Sequence, residues 1–88
     1  MYLHIGNNRI VNTDNIIGIF DLDNSSYSYI TKEYIKKAER EKNIFYTTYE
    51  LPRSMLVEYK NGVQRVYITQ LSTTVINKRI ENKEIFKD

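Results

Sequence analysis

Met55-Leu56-Val57-Glu58-Tyr59-Lys60-Asn61-Gly62-Val63-Gln64-Arg65-Val66-Tyr67-Ile68-Thr69 is the stretch on which the fold turns. Two runs rich in β-branched and aromatic residues flank Asn61-Gly62. That dipeptide marks a type I′ turn, because both of its central positions need positive φ. A two-residue turn also sets the register. Val57 must oppose Val66, Met55 must oppose Ile68 and Tyr59 must oppose Gln64, which makes one largely apolar face. The other face pairs Leu56 with Tyr67, Glu58 with Arg65 and Lys60 with Val63.

Working outward, Ile44 to Tyr49 has strand character and is broken by Glu50-Leu51-Pro52-Arg53. Before it, Tyr27, Ile30, Tyr34, Ile35 and Ala38 recur at helical spacing. Ser25, Ser26 or Ser28 can cap the start of that helix and Asn43 can stop it. Lys32, Glu33, Lys36, Lys37, Glu39 and Arg40 take its outer face, with Glu33 and Lys37 spaced for an i,i+4 ion pair. Residues 2–5 and 9–12 read as short strands around the turn residues Gly6-Asn7-Asn8, and residues 12–15 make a second turn. Ile16-Ile17-Gly18-Ile19-Phe20 is apolar on both faces, which predicts a central strand, with Gly18 marking a bulge. Ser72 caps a second helix reaching about Ile80, with Val75, Ile76 and Ile80 turned inward and Lys78 and Arg79 in the last turns.

The expected fold is therefore α+β, a mainly antiparallel sheet of five to six short strands with two helices. Residues 1–80 form one domain, and residues 81–88 are a tail that extends the second helix or is disordered. A chain of 88 residues buries only about 60–65% of its unfolded surface, so its stability is thin. Small domains compensate with disulfides, metals or oligomerisation. With no cysteine and a single histidine, His4, disulfides and thiolate or imidazole metal sites are excluded, which leaves self-association.

The same inventory argues against catalysis. A nucleophile needs a base and an orienting group within reach. His4 alternates with Leu3 and Ile5 and is expected to point to the edge of its sheet. Asp14, Asp21 and Asp23 lack the glycine and distal glutamate of a calcium loop, and solvate turns. The three glycines stand singly, so no phosphate cradle exists. No enzyme, cofactor or metal is expected. The opening Met1-Tyr2-Leu3-His4-Ile5-Gly6 has neither the basic nor the long apolar region of a signal peptide, so the expected location is the cytoplasm, with no membrane partner.

What remains is binding. The net charge is only +2, but Lys32, Lys36, Lys37 and Arg40 share a helix. Arg53 follows Pro52 in a stiff loop between two strands, where a guanidinium held out from the body suits bidentate phosphate contact. The eight tyrosines suit protein or nucleic-acid contact as well as strand packing.

The sequence resembles the extracellular matrix regulatory proteins of Gram-positive bacteria, RemA and RemB. The resemblance is carried by Met1 to Gly6, Ile16 to Asp21, Leu51-Pro52-Arg53-Ser54 and the strand after it, and Tyr67 through Leu71-Ser72-Thr73-Thr74 to Lys78-Arg79. It is closer to the RemB branch, through the Tyr-Leu-His-Ile-Gly opening and the Pro-Arg-Ser step. The resemblance implies a non-enzymatic transcriptional regulator of biofilm-matrix genes, whose RemA relatives assemble into closed rings and carry double-stranded DNA on basic residues at the rim. RemA-like proteins have an arginine pair before the hairpin, where this chain has Leu51 and Pro52, and a further arginine where it has Asn15. The expected DNA contacts are thus Arg53, with Lys32, Lys36, Lys37 and Arg40 as secondary ones. The alternative is an oligomeric interaction or scaffold module of the same fold, working through its tyrosines, a protein partner or a DNA-binding paralogue.

Overall fold

The computed structural model describes residues 1–23, 29–48 and 50–82. Six strands and two α-helices follow in the order β1 (Tyr2–His4), β2 (Ile10–Asn12), β3 (Ile16–Asp21), α1 (Tyr29–Arg40), β4 (Ile44–Tyr46), β5 (Ser54–Lys60), β6 (Val63–Thr69) and α2 (Thr73–Glu81). Asn61 and Gly62 take φ of 54° and 80°, the two positive values a type I′ turn demands. The register of β5 against β6 is the expected one, from Ser54 opposite Thr69 to Lys60 opposite Val63.

The strands divide differently from the expectation. β1 and β2 form a separate antiparallel hairpin, and the other four make a sheet in the order β3-β5-β6-β4. Within that sheet β4 runs parallel to β6, because α1 carries the chain back across one face before β4 begins. β3 is therefore an edge strand and not the central one. The hairpin strands β5 and β6 hold the centre, and their apolar faces are covered on both sides.

One face packs Met55, Val57, Val66 and Ile68 against Ala38, with Tyr34 and Ile35 of α1 beside them. The other packs Leu56 and Tyr67 against Leu3, Ile5, Val11 and Ile76, so the small hairpin and α2 form the opposite layer. Ile5 fixes this layer to the sheet. Its carbonyl accepts the Thr69 hydroxyl at 2.7 Å, while the carbonyl of His4 accepts Arg79 Nη1 at 3.0 Å.

Local chemistry explains the element ends. Ser72 Oγ accepts the Val75 N–H at 3.1 Å, the expected cap of α2. The stop of α1 is Lys42 rather than Asn43. Lys42 adopts φ 57°, and the N–H groups of Asn43 and Lys42 close on the carbonyls of Ala38 and Glu39, which is a Schellman arrangement with a non-glycine residue in the left-handed position. The serines proposed to cap the start of α1 lie outside the described residues, as does Tyr27. Ile30, expected inward, is 78% exposed, and Val75 is 38% exposed. Ile76 and Ile80 carry the inward face of α2.

Leu56 is fully buried between the hairpin and α2. Leu56→Ala should therefore lower unfolding free energy by about 2–5 kcal/mol in urea titration, whereas Ile30→Ala at its exposed position should change it by no more than about 0.5 kcal/mol.

Candidate nucleic-acid interface

The five cations singled out in the sequence fall on two elements. Lys32, Lys36, Lys37 and Arg40 are all exposed on α1, because Tyr34, Ile35 and Ala38 commit the opposite side of the helix to the sheet. Lys32, Lys36 and Arg40 follow at i, i+4 and i+8 and so share one stripe, with Lys37 beside it. Glu33 pairs with Lys36 at 3.6 Å, an i,i+3 contact in place of the expected one to Lys37. Glu39 accepts the Tyr46 hydroxyl at 3.4 Å, which draws that carboxylate toward β4.

Arg53 is placed less simply than its Pro52 neighbour suggested. Its backbone is clamped between two strands, the N–H donating to the Thr69 carbonyl and the carbonyl accepting the Leu22 N–H, both at 2.9 Å. The guanidinium is exposed but is not held away from the body. Nε meets both carboxylate oxygens of Asp23, at 3.1 and 3.0 Å, and Nη2 reaches Oδ2 at 3.0 Å. Asp23 is itself positioned by a turn in which its N–H donates to Asp21 Oδ1 at 2.8 Å. The hydrogen bond and charge of Asp23 raise the Arg53 pKa further above its usual value. One edge of the fork is therefore occupied, and a phosphate must use the other edge or compete with Asp23.

Three further arginines take part in contacts, of which the sequence signalled only the pairing of Arg65 with Glu58. Arg9, in the turn before β2, lies 5.0 Å above the Phe45 ring and 5.8 Å above that of Tyr67. Those two rings are themselves stacked at 5.4 Å. Arg65 reaches the buried Glu58 at 3.6 Å, which confirms the cross-strand pair read from the hairpin. The Tyr67 hydroxyl donates to the same oxygen, Glu58 Oε1, at 3.1 Å. Arg9 and Arg65 thus flank an aromatic and carboxylate cluster on the face opposite α1. Arg79 is engaged by the His4 carbonyl. Only tertiary proximity brings Arg9 to Phe45 across so long a separation in sequence.

Among the described residues no group of three or more His, Cys, Asp or Glu side chains could hold a metal ion, and no helix is long and apolar enough to cross a membrane. One open groove of about 260 Å³ lies between β3 and the start of α1, lined by Ile17, Phe20, Ile30, Met55 and Val57, with Tyr34 and Gln64 among its polar neighbours.

Burial first, and then the Glu58 carboxylate, raise the Tyr67 pKa above that of a free phenol. The folded state then holds the Tyr67 proton at pH values where the unfolded chain has lost it. Stability must fall as pH rises through about 10 toward the folded value. Chemical denaturation at stepped alkaline pH should show this decline, and Tyr67→Phe should make it shallower.

A family model described as extracellular matrix regulatory protein A-like, or RemA-like, matches residues 2–80. Extracellular matrix regulatory protein B of Bacillus subtilis (strain 168) is 32% identical over 81 residues, which span 92% of this chain and 91% of that protein.

Proposed function

Because the chain belongs to the extracellular matrix regulatory protein A-like family, we propose that it is a non-enzymatic, homo-oligomeric DNA-binding regulator of extracellular-matrix genes, acting in the cytoplasm. The observation that carries this reading is the near full-length match to a relative named as a matrix regulator. The geometry supports the binding half. Four cations stand exposed on α1, and Arg53 sits at a rigid strand junction with one edge of its fork turned from Asp23. So few cations on one subunit hold DNA weakly. An oligomer, whether a ring or a smaller assembly, repeats them and makes each later contact intramolecular. Phosphate contacts of this kind position the duplex without reading its sequence, so selectivity is weak.

A second reading is favoured by the Asp23–Arg53 pair, which neutralises the most promising phosphate ligand, and by the exposure of Tyr29 and Tyr59. On that reading the chain is an oligomeric interaction module that works through a protein partner or a DNA-binding paralogue.

Duplex binding measured across a salt series separates the two. The DNA reading expects affinity to fall steeply with salt. Arg53→Ala should then weaken binding by a similar factor on every duplex and reduce the salt slope by about one per contacting subunit. Asp23→Asn should strengthen binding by releasing the guanidinium. Absence of binding at low salt, or binding indifferent to salt, would remove the DNA reading. Partner capture that survives Arg53→Ala and fails on a tyrosine substitution would install the second.

A further inference from the structure

We propose that Asn61 is a site of self-modification, at which the β5–β6 turn converts its own asparagine to aspartate or isoaspartate through a cyclic imide. The inference is independent of DNA binding and of self-association.

Asparagine is thermolabile because the backbone nitrogen of the residue that follows can attack its side-chain amide. A side chain on that following residue crowds the attack. Of the nine asparagines in the chain only Asn61 precedes a glycine, and the others precede Asn, Arg, Thr, Ile, Ser or Lys. The residues that fix the hairpin register are therefore also the pair most prone to this chemistry.

The structure leaves both reacting groups open. Asn61 and Gly62 are exposed at the tip of the hairpin. Lys60 and Val63, which flank the turn, form its closing strand pair. Neither the Gly62 N–H nor the Asn61 carboxamide makes a hydrogen bond among the described residues. A Cβ built on Gly62 would meet nothing within 4 Å, so the space around the glycine is empty. Asn12 contrasts with this, because its Oδ1 accepts the Asp14 N–H at 2.9 Å. Ring closure needs a rotation about ψ of Asn61 that brings the Gly62 nitrogen onto Cγ. Asn61 sits at φ 54°, in the left-handed region that favours glycine, so leaving the turn conformation relieves backbone strain there. The strand pair that must loosen is Lys60 with Val63, the outermost of the hairpin and exposed on both sides.

In the first step the Gly62 nitrogen bonds to the side-chain carbonyl carbon of Asn61. The bond from that carbon to the amide nitrogen breaks, and ammonia leaves with the proton that Gly62 gives up. Water then opens the five-membered imide at one of its two carbonyls. Opening at the side-chain carbonyl yields aspartate, and opening at the main-chain carbonyl yields isoaspartate, whose main chain runs through Cβ. Either product lowers the net charge of +2 by one unit. Aspartate preserves the turn, since Asp-Gly also suits type I′. Isoaspartate adds a main-chain atom to a two-residue turn whose length sets the pairing from Lys60 opposite Val63 to Ser54 opposite Thr69. The modification thus falls on the hairpin around which the two core layers pack.

The test incubates the full chain in native buffer at a series of mildly alkaline pH values, digests it at acid pH and maps it by mass spectrometry. A mass gain of about 1 Da is expected at residue 61 ahead of every other asparagine, at a rate that rises with hydroxide. The isoaspartate fraction, separated by ion exchange, is expected to unfold at a lower urea concentration than the unmodified chain. Asn61→Asp is expected to unfold close to the parent. Asn61→Gly keeps the positive φ without the amide, and is expected to age with neither the mass gain at the turn nor the lowered midpoint. Retention of the amide at residue 61, over the period in which an isolated peptide of residues 58–65 converts, overturns the proposal. Equal or faster conversion at another asparagine overturns the assignment to this turn. An isoaspartate fraction that unfolds together with the unmodified chain overturns the effect on the hairpin.

Discussion

The β5–β6 hairpin is apolar on both faces, and nearly everything else in the molecule follows from the need to cover it. Asn61-Gly62 locks the register, and the register sends Met55, Val57, Val66 and Ile68 to one side and Leu56 and Tyr67 to the other. Neither side can remain wet at a free-energy cost a domain this small could bear. The chain meets this demand with α1 above and the small hairpin plus α2 below. Polar groups complete the joint, with Thr69, Thr47 and Arg79 reaching the carbonyls of Ile5 and His4.

That division of labour determines where the surface features fall. Because α1 gives one side to the sheet, its cations are displayed on the other, exposed side. The lower layer needs a way to hold Glu58 in a buried position, and Arg65 with Tyr67 supplies it. Arg9 then rests on the aromatic pair at the margin of the same layer. Covering the middle of the sheet leaves its edges, and β3 is the longer and more apolar of the two. The apolar run from Ile16 to Phe20, which reads as a central strand in the sequence, therefore lies at an edge of the sheet.

On the function proposed above, the exposed cations of α1 together with Arg53 are the groups that would meet phosphate. The Asp23 carboxylate stands just beyond the end of β3 and is bound to Arg53. It holds the guanidinium in one orientation and diminishes its charge, so the same contact that positions the residue also weakens its attraction for an anion.

By itself the sequence determined whatever depends on local geometry. The Asn-Gly turn required its hairpin and register, Ser72 required a helix start, and the helical spacing of Tyr34, Ile35 and Ala38 required one buried side and one cationic side. The bulge at Gly18 was legible too, as was the pairing of Glu58 with Arg65, because a register carries cross-strand neighbours with it. The tertiary structure alone decided the strand order, which placed β3 at an edge, separated β1 and β2 into their own hairpin and made β4 parallel to β6. An apolar run reads the same whether a strand of its own chain or of another covers it. It alone also decided that Arg53 meets Asp23 and that Arg9 meets Phe45. Those contacts join residues distant in sequence, and no periodicity records which of them packing will bring together.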